Sequence, residues 1–170
     1  MLRRSLLPLA MLPWAGKAQT LADNANPSGV VLSITGRLDE RHGKKGWAID
    51  MPTLARMPHT RYPARTPWYG KARSFSGPLL RDLLQAAGAR PQGPDPAVRA
   101  LAVNDYRVDI PLTDAMRYDV IVARLIDDEP ISLRDRGPLM IMYPFDSQPG
   151  LRNAVYYGRC AWQLQRLDLL

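Results

Sequence analysis

A proline-rich stretch, residues 58–74, constrains the fold of this chain more than any other segment. It contains four residues that interrupt helices and strands: Pro58, Pro63, Pro67 and Gly70. Proline and glycine at this spacing predict an irregular segment without a regular helix or strand. Trp68 and Tyr69 argue against disorder, because large aromatic rings normally pack against other residues. Since irregular segments of this length inside compact domains are usually functional, we predict a loop that holds a ligand.

The segment after this loop predicts one amphipathic helix. In "SGPLLRDLLQAAGA", Gly77 can cap the helix and Pro78 suits its first position. The apolar residues follow helical spacing along one face: Leu80, Leu83, Leu84 and Ala87. Gly88 can adopt the left-handed conformation that ends a helix. We expect this helix to bury its apolar face against the core.

The other patterns favour short strands. "GVVLSITG" alternates with Leu32 and Ile34 on one face, which predicts a strand. The turn pair Asn104 and Asp105 separates two alternating segments and predicts a hairpin or two successive strands. Later strands are predicted in "VIVARLIDDEPISLR", "GPLMIMYP" and "WQLQRLDLL", the last with Trp162 inward. "PTLARMP" and "TDAMRYD" predict helical turns, so the fold class is α+β, mostly β.

The first 22 residues have the pattern of a secretory signal peptide. Arg3 and Arg4 precede a short apolar run, and small residues follow it. Cleavage after Ala18 or Ala22 fits this pattern and leaves residues 23–170 as one domain. The alternative is a short amphipathic start to a cytosolic protein. Because no later apolar run is long enough to span a bilayer, we do not expect membrane insertion.

The charge pattern does not favour nucleic-acid binding. The formal net charge is +7. Removal of Arg3, Arg4 and Lys17 with the leader would lower it to +4. The arginines are scattered, whereas a nucleic-acid groove usually shows a clustered basic stripe. We therefore expect no nucleic-acid partner.

Known catalytic and metal-binding patterns are absent from the sequence. The two histidines, His42 and His59, lie in polar surroundings and form no zinc motif with the single cysteine. No nucleophile elbow, Walker loop or dinucleotide fingerprint occurs. The adjacent carboxylates at 127–129 are interpreted as a solvated hairpin turn, and Cys160 as a structural residue. We predict no catalytic residue and no metal site.

Aromatic, arginine and carboxylate side chains on glycine- and proline-rich loops are the remaining candidates. They occur as Trp68 with Tyr69, as 104–106, as Arg134 with Arg136, and around Tyr143 and 146. Aromatic rings supply stacking faces, and arginine supplies planar paired donors. Such a set suits a flat, polar heterocycle. The alternative is that each residue serves the core or a turn.

Four segments resemble the molybdopterin-binding domain of the sulfite oxidase family. They are "FSGPLLRDLLQAAGA", "ALAVNDYRVDIPLTD", "RGPLMIMYPFD" and "WQLQRLDL", in that order. The resemblance extends from about Val30 to Leu169. It implies a mixed α+β domain built mostly from β-sheet, with a barrel-like arrangement of strands, and a pterin-type ligand.

The resemblance also implies a ligand without a metal. In the enzymes of that family, a cysteine before the G-x-P-L helix ligates molybdenum, and its place here falls near Arg65 and Thr66. The "TPW…GPLLRDLL" combination is similar to that of cysteine-lacking periplasmic proteins. Those proteins bind a reduced, metal-free pterin such as monapterin. They regulate a membrane-bound cyclic-di-GMP enzyme, a diguanylate cyclase or phosphodiesterase, through its periplasmic domain.

Motif positions assign candidate pterin-binding roles. Trp68 and Tyr106 are predicted to stack on or wall the ring. Carboxylate and amide groups are predicted to accept hydrogen bonds from its amino edge: Asn104, Asp105 and Asp114. Contacts to the carbonyl and side-chain hydroxyls are predicted for Arg65, Thr66 and Arg136, and Tyr143 completes the set. The resemblance leaves two alternatives open, a molybdopterin-dependent oxidoreductase and an interaction domain whose pocket has degenerated.

Overall fold

A computed structural model describes residues 29–42 and 45–170. The predicted leader, residues 1–22, lies outside the described residues and stays a prediction. Within residues 29–42 and 45–170 the strands are β1 Val30–Gly36, β2 Trp47–Asp50, β3 Thr60–Ala64, β4 Arg73–Gly77, β5 Ala97–Ala102, β6 Arg107–Pro111, β7 Ile121–Ala123, β8 Leu125–Ile126, β9 Glu129–Pro130, β10 Met140–Met142 and β11 Leu164–Leu169. The helices are α1 Met51–Arg56, α2 Leu80–Ala86, α3 Leu112–Arg117 and α4 Ala154–Arg159, with a 3₁₀ turn at Pro149–Leu151.

In the described part of the chain, the strands form three sheets. The largest has the order β2-β1-β11-β5-β6, the second has the order β3-β4-β8-β9, and β7 pairs with β10. The predicted α+β class is therefore confirmed. The predicted barrel-like closure is wrong, since the strands of the described residues lie in separate open sheets.

The alternating patterns place the core as predicted. Leu32 and Ile34 on β1 are completely buried, as are Leu167 on β11 and Ile110 on β6. The final strand pairs in parallel with β1 and antiparallel with β5. The hairpin predicted at 104–105 joins β5 to β6. The C-terminal strand β11 is therefore the central strand of the largest sheet.

Part of the predicted irregular stretch, residues 60–64 and 73–74, is regular strand. β3 and β4 pair from Thr60 with Gly77 to Ala64 with Arg73, so only residues 65–72 form a loop. Pro63 is tolerated because β3 is an edge strand, where a missing N–H donor breaks no ladder on the open side. The prediction was wrong there because proline excludes central strands and not edge strands.

The predicted amphipathic helix begins later than expected. α2 starts at Leu80, and Gly77 is the last residue of β4. A Cβ atom at Gly77 would lie 2.0 Å from the carbonyl oxygen of Val122, so this glycine permits a close approach of two strands. Leu80, Leu83 and Ala87 are completely buried, which confirms the predicted face.

Candidate functional site

The loop at residues 65–72 is fixed at its start by a carboxylate. The Arg65 backbone N–H donates to Asp146 Oδ1 at 3.0 Å, and Arg152 Nη2 donates to the same oxygen at 2.7 Å. The next residue, Thr66, is 7% exposed. Its hydroxyl has no hydrogen-bonding partner among the described residues. A buried hydroxyl without a partner carries a desolvation cost, which a bound polar group would remove.

Arg136 lies between two aromatic rings. Its guanidinium carbon is 4.6 Å from the centre of the Trp162 ring and 5.2 Å from that of Tyr69. The residue has φ of +74°, a strained value for a non-glycine residue. The following Gly137 approaches the Ile131 carbonyl so closely that a Cβ atom would lie 2.0 Å from it. Tight backbone packing therefore directs the arginine toward the two rings.

Trp68 completes this group of side chains. Its ring meets Trp162 edge-on at 5.3 Å and Tyr157 at 5.8 Å. The indole Nε1–H is buried and finds no acceptor within residues 29–42 and 45–170. We call Thr66, Trp68, Tyr69, Arg136 and Trp162 the loop site. Trp162 itself is 37% exposed, which corrects the prediction that it points inward.

A second cluster surrounds a buried carboxylate. Asp114, 7% exposed, accepts a hydrogen bond from the Tyr143 hydroxyl at 2.8 Å. It also pairs with Arg159 Nη1 at 2.7 Å. Burial raises the pKa of Tyr143, and the hydrogen bond to Asp114 raises this pKa further. The hydroxyl therefore stays a proton donor to the carboxylate. We call Asp114, Tyr143 and Arg159 the acidic cluster.

Helix α4 connects the two clusters. Its Tyr157 contacts Trp68 of the loop site, and its Tyr156 meets Tyr143 of the acidic cluster edge-on at 5.5 Å. Arg159 lies over the Tyr156 ring at 5.2 Å. Sequence reasoning missed this helix and the residues it carries. The sequence signal that could have indicated these residues is "YYGR". It places an arginine shortly after two tyrosines, and aromatic rings with an arginine also make up the loop site.

The hairpin turn between β5 and β6 lies against α4. The Tyr106 hydroxyl donates to the Gly158 carbonyl at 2.6 Å. Asn104 Oδ1 accepts from the Tyr106 N–H, and Asp105 has φ of +63°. The Asn104 and Asp105 side chains are exposed, and no hydrogen bond between described residues joins them to either cluster. Of the nine predicted residues, the structure thus brings Trp68 and Arg136 together around Trp162, with Thr66 in the same loop as Trp68. It pairs Asp114 with Tyr143, joins Tyr106 to α4 at Gly158, and leaves Arg65, Asn104 and Asp105 exposed.

The donor set does not suit a molybdenum ion. The single thiol of the chain, Cys160, is buried, with Sγ 3.4 Å from the Tyr156 carbonyl oxygen. Burial raises the pKa of this thiol, which keeps it protonated. The sequence resemblance predicts the metal-binding cysteine near Arg65 and Thr66, and neither of these residues supplies a soft ligand. The unpaired Thr66 hydroxyl and Trp68 N–H do suit the polar edge of a pterin.

A profile of the family "Oxidoreductase molybdopterin binding domain" matches residues 40–150, more than half of the chain. The chain belongs to the oxidoreductase molybdopterin binding domain family. The family-level resemblance seen in the sequence is therefore confirmed.

A solved structure supports the same fold. The sulfane dehydrogenase SoxCD from Paracoccus pantotrophus matches with a TM-score of 0.59 and 18% identity. The match covers 81% of this chain and 37% of that chain, so this chain spans little more than a third of that structure. No curated protein sequence matches significantly. Among residues 29–42 and 45–170, none of the helices has the length and apolar character needed to cross a membrane.

Proposed function

We propose that this protein is a non-catalytic periplasmic binding protein for a reduced, metal-free pterin of the monapterin type. It acts as a sensor that regulates a membrane-bound cyclic-di-GMP enzyme, a diguanylate cyclase or phosphodiesterase, through that enzyme's periplasmic domain. The proposed ligand is of the pterin type that the family description indicates. The proposed protein binds it without a metal and therefore carries out no metal-dependent reaction.

The observation that carries the proposal is that no cysteine lies near Arg65 and Thr66, where the resemblance predicts the metal-binding thiol. In the enzymes that the sequence resembles, a cysteine thiolate ligates molybdenum, and neither Arg65 nor Thr66 supplies a thiolate. Cys160 does not replace the missing thiol, because it is buried, protonated and bonded to a backbone carbonyl. The pterin pocket does not depend on that ligand and can persist without it.

Two buried polar atoms support a small-molecule ligand at the loop site. The Thr66 hydroxyl and the Trp68 Nε1–H lack partners in the described part of the chain, although such atoms are normally paired. The rings of Trp68 and Trp162 and the guanidinium of Arg136 offer planar surfaces beside them. This combination suits a flat ring with polar edges.

A molybdopterin-dependent oxidoreductase is the second candidate. It is favoured by the family description and by the dehydrogenase activity named for the SoxCD structure. It requires that molybdopterin be held without a protein thiolate.

One experiment separates the two candidates. The mature protein is purified from the periplasm of a molybdenum-replete host and denatured. The released molecules are oxidised and examined by fluorescence-detected chromatography, with metal analysis in parallel. A stoichiometric fluorescent pterin without molybdenum is expected. Molybdenum with molybdopterin would favour the oxidoreductase.

The binding residues are tested by rebinding of hydroxymethyl-dihydropterin to the stripped protein. Thr66→Val and Trp68→Phe are expected to weaken binding by at least about fivefold, because each removes one polar contact. Arg166→Gln, on the five-stranded sheet, is the matched control and is expected to bind normally. Equal affinity of all variants would contradict the assignment of the loop site. The regulatory role predicts that deletion of the gene changes the cellular cyclic-di-GMP level only when the membrane enzyme retains its periplasmic domain.

A further inference from the structure

We infer that an exposed apolar patch beside the loop site is the docking surface for an acidic face of a partner protein. The inference rests on the proposed function, whose partner is the periplasmic domain of the membrane-bound cyclic-di-GMP enzyme. It deepens that function by naming the face of this chain that the partner contacts. We call this surface the docking patch, and it consists of Val103, Tyr106, Leu133 and Trp162.

Gln163 holds three segments of the docking patch together. Its backbone N–H donates to the Arg136 carbonyl at 2.9 Å, and its carbonyl accepts from the Val103 N–H at 3.0 Å. Its side-chain Nε2 donates to the Leu133 carbonyl at 3.2 Å. The residue has φ of +50°, a left-handed conformation that is uncommon outside glycine. Since Trp162 is its neighbour in the chain, these bonds bring apolar side chains from three distant segments to one part of the surface.

The docking patch holds most of the large hydrophobic side chains that are exposed among the described residues. Val103 and Leu133 are more than half exposed, and Tyr106 and Trp162 are more than a third exposed. Contiguous exposed apolar patches on a soluble domain mark interaction sites. Tryptophan, tyrosine and arginine are also the residues that most often carry the binding energy of a protein interface. The composition of the patch is therefore that of a protein-binding surface.

Arginines at the edge of the docking patch indicate an acidic partner. Arg107 and Arg134 are exposed and belong to none of the ion pairs among residues 29–42 and 45–170. Arg136 holds a third positive charge against the patch. Two carboxylates lie on the same segments, at Asp105 and Asp135, and the whole sequence carries a net charge of +7. A second copy of the chain would bring like charges together, whereas an acidic surface is attracted.

The aromatic members of the docking patch favour a protein partner over a membrane surface. The Tyr106 hydroxyl donates to the Gly158 carbonyl at 2.6 Å, and the Trp162 ring meets Trp68 edge-on at 5.3 Å. Both rings are less than half exposed. A membrane anchor buries its apolar side chains at the boundary of the acyl region, and rings fixed along the protein surface do not extend that far. Rigid aromatic side chains suit the pockets of a protein partner.

Trp162 belongs to both the docking patch and the loop site. Its ring lies against Arg136 and Trp68 on one side and reaches solvent on the other. A pterin at the loop site therefore shares this side chain with the docked partner. When two ligands are coupled in this way, each changes the affinity of the chain for the other by the same factor. The patch thus gives a non-catalytic protein a way to report its ligand.

The first test locates the partner on the full chain in its native host. Photoreactive benzoyl-phenylalanine replaces Val103 in one variant and Met116 in the control, because Met116 is also more than half exposed but follows the opposite end of β6. Crosslinked products are identified by mass spectrometry. We expect the periplasmic domain of the membrane enzyme to be crosslinked from position 103 only. Crosslinks to lipid, to a second copy of the chain, to neither position or equally to both would overturn the inference.

The second test measures the affinity of the purified periplasmic domain for the full mature chain by calorimetry, with and without hydroxymethyl-dihydropterin. Leu133→Gln and Arg107→Glu are each expected to weaken binding of the domain by at least about tenfold, the latter more strongly at low salt. Met116→Gln and Arg37→Glu are the matched controls, since both are exposed and lie away from the patch. All four variants should bind the pterin normally, because none belongs to the loop site.

The outcomes separate the docking patch from the proposed function. If Leu133→Gln and Arg107→Glu bind the domain as the wild type does, the inference fails and the proposed function stands. Equal affinity of the wild type for the domain with and without the pterin would overturn the coupling through Trp162. If the wild type binds the pterin and not the domain, the inference and the regulatory role both fail. Absence of pterin binding by the wild type would overturn the proposed function itself.

Discussion

The acidic cluster provides a strong test of how this fold is held together. In Asp114→Ala, the Tyr143 hydroxyl and the Arg159 guanidinium both lose their acceptor. Tyr143 is completely buried, so water cannot replace the lost hydrogen bond. The Arg159 side chain is 20% exposed and retains its contact with the Tyr156 ring, so water can replace part of its loss.

The expected loss of stability in Asp114→Ala follows from the burial of Tyr143 and the partial exposure of Arg159. An unsatisfied buried hydroxyl costs about 1–3 kcal/mol. Removal of one member of a fully buried ion pair costs about 3–5 kcal/mol, and the partial exposure of Arg159 lowers that share. We expect Asp114→Ala to lower the free energy of unfolding by about 3–5 kcal/mol in total. Asp114→Asn keeps an acceptor for Tyr143 and should cost about half as much.

Urea unfolding followed by tryptophan fluorescence measures this difference. Asp109→Ala is the matched control, because Asp109 pairs with Arg99 on the surface, where the two side chains are 47% and 43% exposed. It should cost about 1 kcal/mol or less. If Asp114→Ala and Asp109→Ala fall within about 1 kcal/mol of each other, burial does not set the strength of the acidic cluster and the reasoning fails.

Three further predictions concern the loop site, a strand contact and the buried acids. Thr66→Val should raise the free energy of unfolding of the ligand-free protein by up to about 1 kcal/mol, because it removes an unpaired hydroxyl, while it weakens pterin binding. A loss of stability in thermal unfolding would contradict the unpaired state of that hydroxyl. Gly77→Ala should destabilise by about 2 kcal/mol or more, because its Cβ atom would lie 2.0 Å from the Val122 oxygen. Gly70→Ala, with nothing within 4 Å, should change stability by less than about 0.5 kcal/mol. Burial raises the pKa of Cys160 from its ordinary value of 9.0 and those of two buried tyrosines from 10.0, so the folded state keeps protons that the unfolded chain releases. The free energy of unfolding should therefore change little between about pH 6 and 8 and fall above about pH 9, by about 1.4 kcal/mol per pH unit for each group. Cys160→Ala should move the onset toward pH 10, and an unchanged onset would exclude the thiol as its cause.

The parts of the fold that depend on local pattern could be predicted from the sequence. Alternation around Leu32 and Ile34 identifies β1, and the leucine spacing identifies α2, because strand and helix each expose side chains with a fixed period. The turn pair at 104–105 identifies the β5–β6 hairpin for a similar reason. Helix α4 escaped prediction because it has only six residues and none of them is buried, so no apolar stripe marks it.

The tertiary structure decided which candidates meet. Trp68, Arg136 and Trp162 are far apart in sequence and come together through strand pairing and the close approach at Gly137. Pro63 was predicted to interrupt regular structure, but the pairing of β3 with β4 places it in an edge strand. The same long-range packing brings Tyr143 and Arg159 within hydrogen-bonding distance of Asp114. It leaves the side chains of Asn104 and Asp105 exposed to solvent. By itself the sequence determined the chemistry of each side chain, including the absence of a cysteine from the loop at residues 65–72, because residue type is a local property. Which side chains share a site, and which donors stay unpaired, depends on contacts between distant segments and was decided only by the folded chain.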